Sequence, residues 1–108
     1  MEDIKISIAE NFSRTPGARY RTDGPKSGEE FREELLEKYF NDIKDERIIL
    51  INLDGVRGYT TSFLEEAFGG LVRKYGIDRV QKKIRIIATQ RKFYKERAEE
   101  YIKNADNK

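Results

Sequence analysis

The chain has 108 residues, a length that suits one domain with one core and leaves too little for a second. It contains no Cys, no His and no Trp, which excludes disulfides, thiolate nucleophiles, Ser-His-Asp triads and imidazole or thiolate metal sites. Net charge is only +2, which argues against nucleic acid as the partner, although residues 1–72 carry a balance of −5 and residues 73–108 one of +7.

In chain order, Ile4, Ile6 and Ile8 alternate with Lys5 and Ser7, the period of a half-buried strand. Residues 11–17 are rich in Ser, Thr, Arg, Pro and Gly and read as a loop. Ala18–Thr22 is predicted as an edge strand, followed by a turn at Asp23-Gly24-Pro25-Lys26. Ser27 with Glu30 forms a capping box, and Phe31, Leu35, Leu36, Tyr39 and Phe40 give the helix after it an apolar face. Arg47–Leu53 is predicted as a central strand, because Ile48-Ile49-Leu50-Ile51 is continuous enough to be buried on both faces.

A second capping box, Ser62 with Glu65, opens a helix with Leu64, Ala67, Phe68, Leu71, Val72 and Tyr75 on its buried stripe. Gly69 and Gly70 inside that helix each cost about 1 kcal/mol against Ala, which points to close packing on a sheet. Gly76 suits the C-terminal stop. Ile84–Ala88 is a third strand, and Thr89 is placed to cap a last helix over 90–103. The helix between strands 47–53 and 84–88 makes them parallel neighbours. The fold class is α/β, a small mixed sheet covered by amphipathic helices, in a single domain over 1–108 with its core at about 4–103 and a frayed tail at 104–108.

In an open α/β sheet, ligands and partners meet the loops at the carboxyl ends of the strands. Here that loop is Asp54–Ser62, which carries Asp54, Arg57, Tyr59 and Thr60 and ends in three consecutive hydroxyls, Thr60, Thr61 and Ser62. Ser62 is the expected cap, with Tyr59 exposed beside it. A phosphate at a helix N-terminus faces free amides and the positive end of the dipole. Phosphorylation there would shift the local charge by nearly two units. A second candidate site is the loop with Arg14, Thr15, Arg19 and Lys26, whose cations could clamp an anion. Arg14 and Arg19 are expected near a helix start, or paired with Asp23 or Asp54.

Ile49–Leu71, ILINLDGVRGYTTSFLEEAFGGL, resembles the central element of STAS domains, the fold of anti-sigma-factor antagonists. In that family a strand ends in Asp-Ser-Ser/Thr-Gly-Leu, and a hydroxyl at the helix start is phosphorylated by a partner kinase. Aligning Leu64 with the family Leu puts Thr60 at the Asp, Thr61 at the first Ser and Ser62 at the phosphoacceptor, with Phe63 in place of the Gly. Phe12–Tyr20, Asp23–Arg32 and the Ser-Phe-Leu-x-Glu-x-Phe-Gly-Gly-Leu element at Ser62–Leu71 resemble the STAS-like family DUF4325, over about residues 5–90. The resemblance implies a non-enzymatic regulatory module without cofactor or metal. Its implied partner is an ATP-binding, histidine-kinase-like regulator, docked through Asp54, Arg57, Tyr59, Thr60 and Glu65 and switched at Ser62 or Thr61. The alternative is a small nucleotide- or anion-binding protein or enzyme built on Arg14 and Arg19. The N-terminus shows no signal pattern and no apolar run spans a bilayer, so a cytoplasmic setting is expected.

Overall fold

Three short strands carry the architecture: β1 (Ile4–Ser7), β2 (Ile49–Asn52) and β3 (Ile84–Ile87). The structure, a computed structural model, describes residues 2–105. The strands form one sheet in the order β1-β2-β3, with Ile4 beside Ile49 and Ile49 beside Ile84. Both pairings are parallel. The sheet is therefore all parallel where a mixed one was expected, and β2 is central as its apolar run implied.

The missing antiparallel strand is the segment at 18–22. The carbonyls of Ala18 and Arg19 accept the amides of Gly28 and Glu29, and Arg21–Asp23 closes into a 3₁₀ turn. That main chain satisfies the orphan donors in the first turn of the following helix and so is not spent on a sheet ladder.

Five helices join the strands among the described residues. The chain leaves β1 through a single turn, α1 (Ile8–Asn11), capped by Ser7. Helix α2 (28–40) begins as predicted at Ser27, whose hydroxyl accepts the Glu30 amide at 3.0 Å. It continues through a wide π-turn, Arg32–Leu36, and tightens to a 3₁₀ turn, Glu37–Phe40. Helix α3 (61–75) has the same interruption, a π-turn at Glu65–Gly69. Gly76 stops it at φ +92°, with its amide on the Val72 carbonyl at 2.8 Å. Helix α4 (Ile77–Lys83) leads into β3, and α5 (Lys92–Ala105) is the last described element, two residues later at each end than predicted. Part of the expected frayed tail, residues 106–108, lies outside the described residues.

The core lies between the helices and one face of the sheet. Ile49 and Ile51 are fully buried on that face, flanked by Ile6 and Ile86. Against them sits an aromatic cluster: Phe31, Phe63 and Phe68 have no exposed surface, and the Phe31 ring lies 5.3 Å from Phe12 and 5.9 Å from Phe63. Aromatic rings at such spacing contribute about 0.5–1.5 kcal/mol per pair beyond their area burial. Helices α2 and α3 touch at Gly28, where an added Cβ would come within 2.6 Å of the Phe63 carbonyl oxygen.

The expectation that β2 is buried on both faces is not met. On the far face Leu50 is half-buried between exposed Lys5 and Arg85, and Asn52 is half-buried between Ser7 and Ile87. Among the described residues the helices cover one side of the sheet only.

Candidate functional site

The close approach of α2 and α3 brings their first turns together with the loops after β1 and β2. At the start of α3 three hydroxyls compete for one cap, and Thr60 takes it. Its Oγ1 accepts the Phe63 amide at 2.9 Å and donates to the Gly17 carbonyl at 3.3 Å. The predicted cap, Ser62, lies two residues too far in, half-buried within the helix. The second bond decides the outcome: only the hydroxyl at position 60 also ties the helix to the loop after β1. Thr61, the first helical residue, is exposed.

Glu65 completes no capping box. It is buried, receiving Arg19 Nη1 at 2.5 Å and Arg73 Nη1 at 2.6 Å. It is therefore a structural anion and not a surface contact. Arg19 is taken up by the same bond, with its pKa raised by the hydrogen bond to Glu65. Next in sequence, Glu66 faces Arg32. The Arg32 guanidinium contacts the Glu66 carboxylate, donates to the Glu66 carbonyl at 3.1 Å and, through Nε, to Glu37 at 2.8 Å. Burial acts to raise the Glu37 pKa, but Lys74 and Arg32 outweigh it and hold the carboxyl below its usual value. Gly69 and Gly70 serve this network. A Cβ at Gly69 would strike the Glu65 carboxylate, and one at Gly70 the Arg32 guanidinium. The glycines make room for buried charge between two helices, not for contact with the sheet.

The loop after β2 is braced from within. Asp54 accepts the Thr89 and Gln90 amides at 3.0 Å and the Thr89 hydroxyl at 2.5 Å, which pulls its pKa down. Thr89 is thus a partner of Asp54 and not the cap of α5. Tyr59, expected to be exposed, is half-buried: its hydroxyl donates to the Leu53 carbonyl at 2.8 Å, and its ring lies 4.9 Å from Tyr94, edge to face. Burial raises its pKa.

Three exposed arginines remain at the carboxyl edge, one from the loop after each strand. The Arg57 amide donates to the Arg14 carbonyl at 2.9 Å, and Arg91 Nη1 donates to the Arg57 carbonyl at 2.6 Å. Arg14 also reaches the Gly55 carbonyl at 3.5 Å. Beside Arg91, Phe93 is 51% exposed. The residues grouped as an anion loop do not converge. Arg14 sits over Gly55, Arg19 on Glu65, and Lys26 over the Phe12 ring at 5.1 Å; Thr15 is exposed beside Ser13. Neither Asp23 nor Asp54 pairs with these arginines: Asp23 accepts the Tyr20 amide, and Asp54 faces Thr89. Arg91 and Phe93 were not anticipated, yet they directly follow the third strand end, where the carboxyl-edge rule places binding residues. Among the described residues no three carboxylates come together as metal ligands, and no helix is long and apolar enough to cross a membrane.

These features define a small α/β domain in which the loop after the central strand feeds a hydroxyl-capped helix. The chain belongs to the family of STAS-like domains of unknown function, DUF4325, whose family model matches residues 27–92, from the Ser27 cap to the start of α5. No curated protein and no solved structure matches it.

Proposed function

We propose that the chain is a non-enzymatic regulatory module that docks an ATP-binding, kinase-like protein through the loop after β2 and the first turn of α3, switched by phosphorylation there. The observation that carries this reading is the linkage of Arg14, Arg57 and Arg91 across three loops, with Thr60 and Thr61 exposed at the start of the helix that the Arg57 loop feeds. Arginine and an exposed aromatic such as Phe93 are the residue types enriched at protein interfaces. Membership of a STAS-like family supports the same reading by analogy of fold.

The contact set on this reading is Arg57, Thr60 and Thr61, joined by Arg14, Arg91 and Phe93, with Asp54, Tyr59 and Glu65 holding the surface in shape from beneath. Thr61 and Ser62 are the acceptor hydroxyls, Thr61 being the more accessible. The anion-binding alternative has less support, because Arg19 is already neutralised by Glu65.

The test incubates the chain with ATP and candidate ATP-binding, kinase-like proteins, and maps phosphate by mass spectrometry. Affinity is then measured for Thr61→Asp and Ser62→Asp against wild type. Phosphate on Thr61 or Ser62, with weakened binding by the corresponding folded Asp variant, is the expected result. No complex, or a complex indifferent to both variants and to Arg57→Glu, sinks the reading.

A further inference from the structure

The bare face of the sheet conflicts with the sequence of its strands. Parallel sheets are normally covered on both faces, and their strands read as nearly continuous apolar runs for that reason. Here β2 is Ile-Leu-Ile-Asn and β3 is Ile-Arg-Ile-Ile, yet only alternate residues are buried. The open face carries two rows in register, Lys5–Leu50–Arg85 and Ser7–Asn52–Ile87. Leu50 sits half-buried in the middle of the sheet, and Ile87 is 37% exposed. A shallow concavity of about 310 Å³ lies over this face, lined by Lys5, Ile6, Ser7, Leu50, Asn52 and Ile87, with Glu10 and Asn11 toward the carboxyl end of β1.

From these observations we infer that this face is a second interaction surface, distinct from the carboxyl-edge loops, and that it takes an amphipathic helix of a partner protein whose apolar stripe is flanked by acidic residues. The spacing fits. Lys5 and Arg85 stand on the two outer strands, about 10 Å apart at two strand spacings, close to the width of one helix with its side chains. A helix laid along β2 would seat apolar side chains on Leu50 and Ile87 and bring flanking carboxylates to Lys5 on one side and Arg85 on the other. Arg85 Nη1 is held by the carbonyls of Gln81 at 2.7 Å and Ile84 at 2.9 Å. Both bonds use the same nitrogen, which leaves Nε and Nη2 without a hydrogen-bond partner among the described residues. Charge also selects among occupants. A second copy of the chain, stacked face to face about a two-fold axis, would set Lys5 and Arg85 against the same cations, which is repulsive.

The probe is a stapled helix of about four turns with a Leu stripe between two rows of Glu, compared with the same helix carrying Lys rows. Binding to the full chain is followed by amide NMR shifts, and self-association by sedimentation. The acidic helix should shift the signals of Lys5, Leu50, Arg85 and Ile87, and Leu50→Lys should weaken it at least tenfold. The double variant Lys5→Glu/Arg85→Glu, which alters exposed side chains only, should reverse the preference toward the basic helix. A response on other faces, equal binding of both helices, no shift at millimolar peptide, or a dimer that Leu50→Lys dissociates would each overturn the inference. Loss of kinase-partner binding through Arg57→Glu leaves it untouched, since the two surfaces share no residue.

Discussion

Arg32 and Glu66 meet as a buried ion pair between the two π-turns of the structure. The guanidinium reaches both the carboxylate and the main-chain carbonyl of Glu66, so helix α2 is fixed to the widened turn of α3 and not merely to a side chain. Widened turns recur at functional sites; here two of them face each other across a shared charge network behind the proposed docking loop.

Removing Arg32 leaves buried Glu66 with only the longer approaches of Arg19 and Arg73, at 3.5 and 3.6 Å, and takes one of two cations from Glu37. Arg32→Met should cost about 3–5 kcal/mol, read from urea unfolding. Adding Glu66→Met to it should recover part of the loss, because two apolar side chains can replace a buried pair. A single variant as stable as wild type would show that the pair is not desolvated in solution.

Gly28→Ala tests the helix contact. Alanine is the better helix former by about 1 kcal/mol, so a gain is expected wherever space allows. The Phe63 carbonyl leaves none. The variant should lose about 2 kcal/mol despite its propensity, and a raised melting temperature would contradict the close approach of α2 and α3.

Caps offer a sharper comparison. Thr60→Ala should destabilise by about 1 kcal/mol, while Thr60→Ser keeps the bond. Ser62→Ala should change stability by no more than about 0.5 kcal/mol. The reverse order in thermal melts would return the cap to Ser62.

With no His or Cys, no side chain has an ordinary pKa between about pH 5 and 8, and melting temperature should be flat there. Glu37, Asp45 and Asp54 have folded pKa values below their unfolded ones. The stability they contribute is fully present above the unfolded carboxylate range, about pH 4, and is lost as pH falls through the lower folded values. Melting temperature should therefore drop below about pH 4. Glu37→Gln should flatten that drop, and an unchanged acid limb in this variant would remove Glu37 from the account.

Much of the fold was legible because its signals are local. The alternation in Ile4, Ile6 and Ile8, the run at Ile48–Ile51, the Ser27 box and Gly76 each announce an element within a few residues. The site was less legible because its choices are made by distant partners. Any of Thr60, Thr61 and Ser62 satisfies a capping pattern, and the Gly17 carbonyl selects among them. Arg19 looks like a free cation until Glu65 is brought beside it. Tyr59 looks like a surface residue until Tyr94 and the Leu53 carbonyl close over it.

The strand order has a consequence for how the chain reaches this state. Ile4 pairs with Ile49, and Ile49 with Ile84, both in parallel, so strands that follow one another in sequence cannot form an early hairpin. Each pairing requires closing a long loop before any sheet contact rewards it. During synthesis the helices can form as they emerge, but β2 has only one edge partner until β3 has been made. The sheet is thus completed only once residues 84–87 have emerged, and until then the apolar edge of Ile49–Asn52 stands open to whatever it meets.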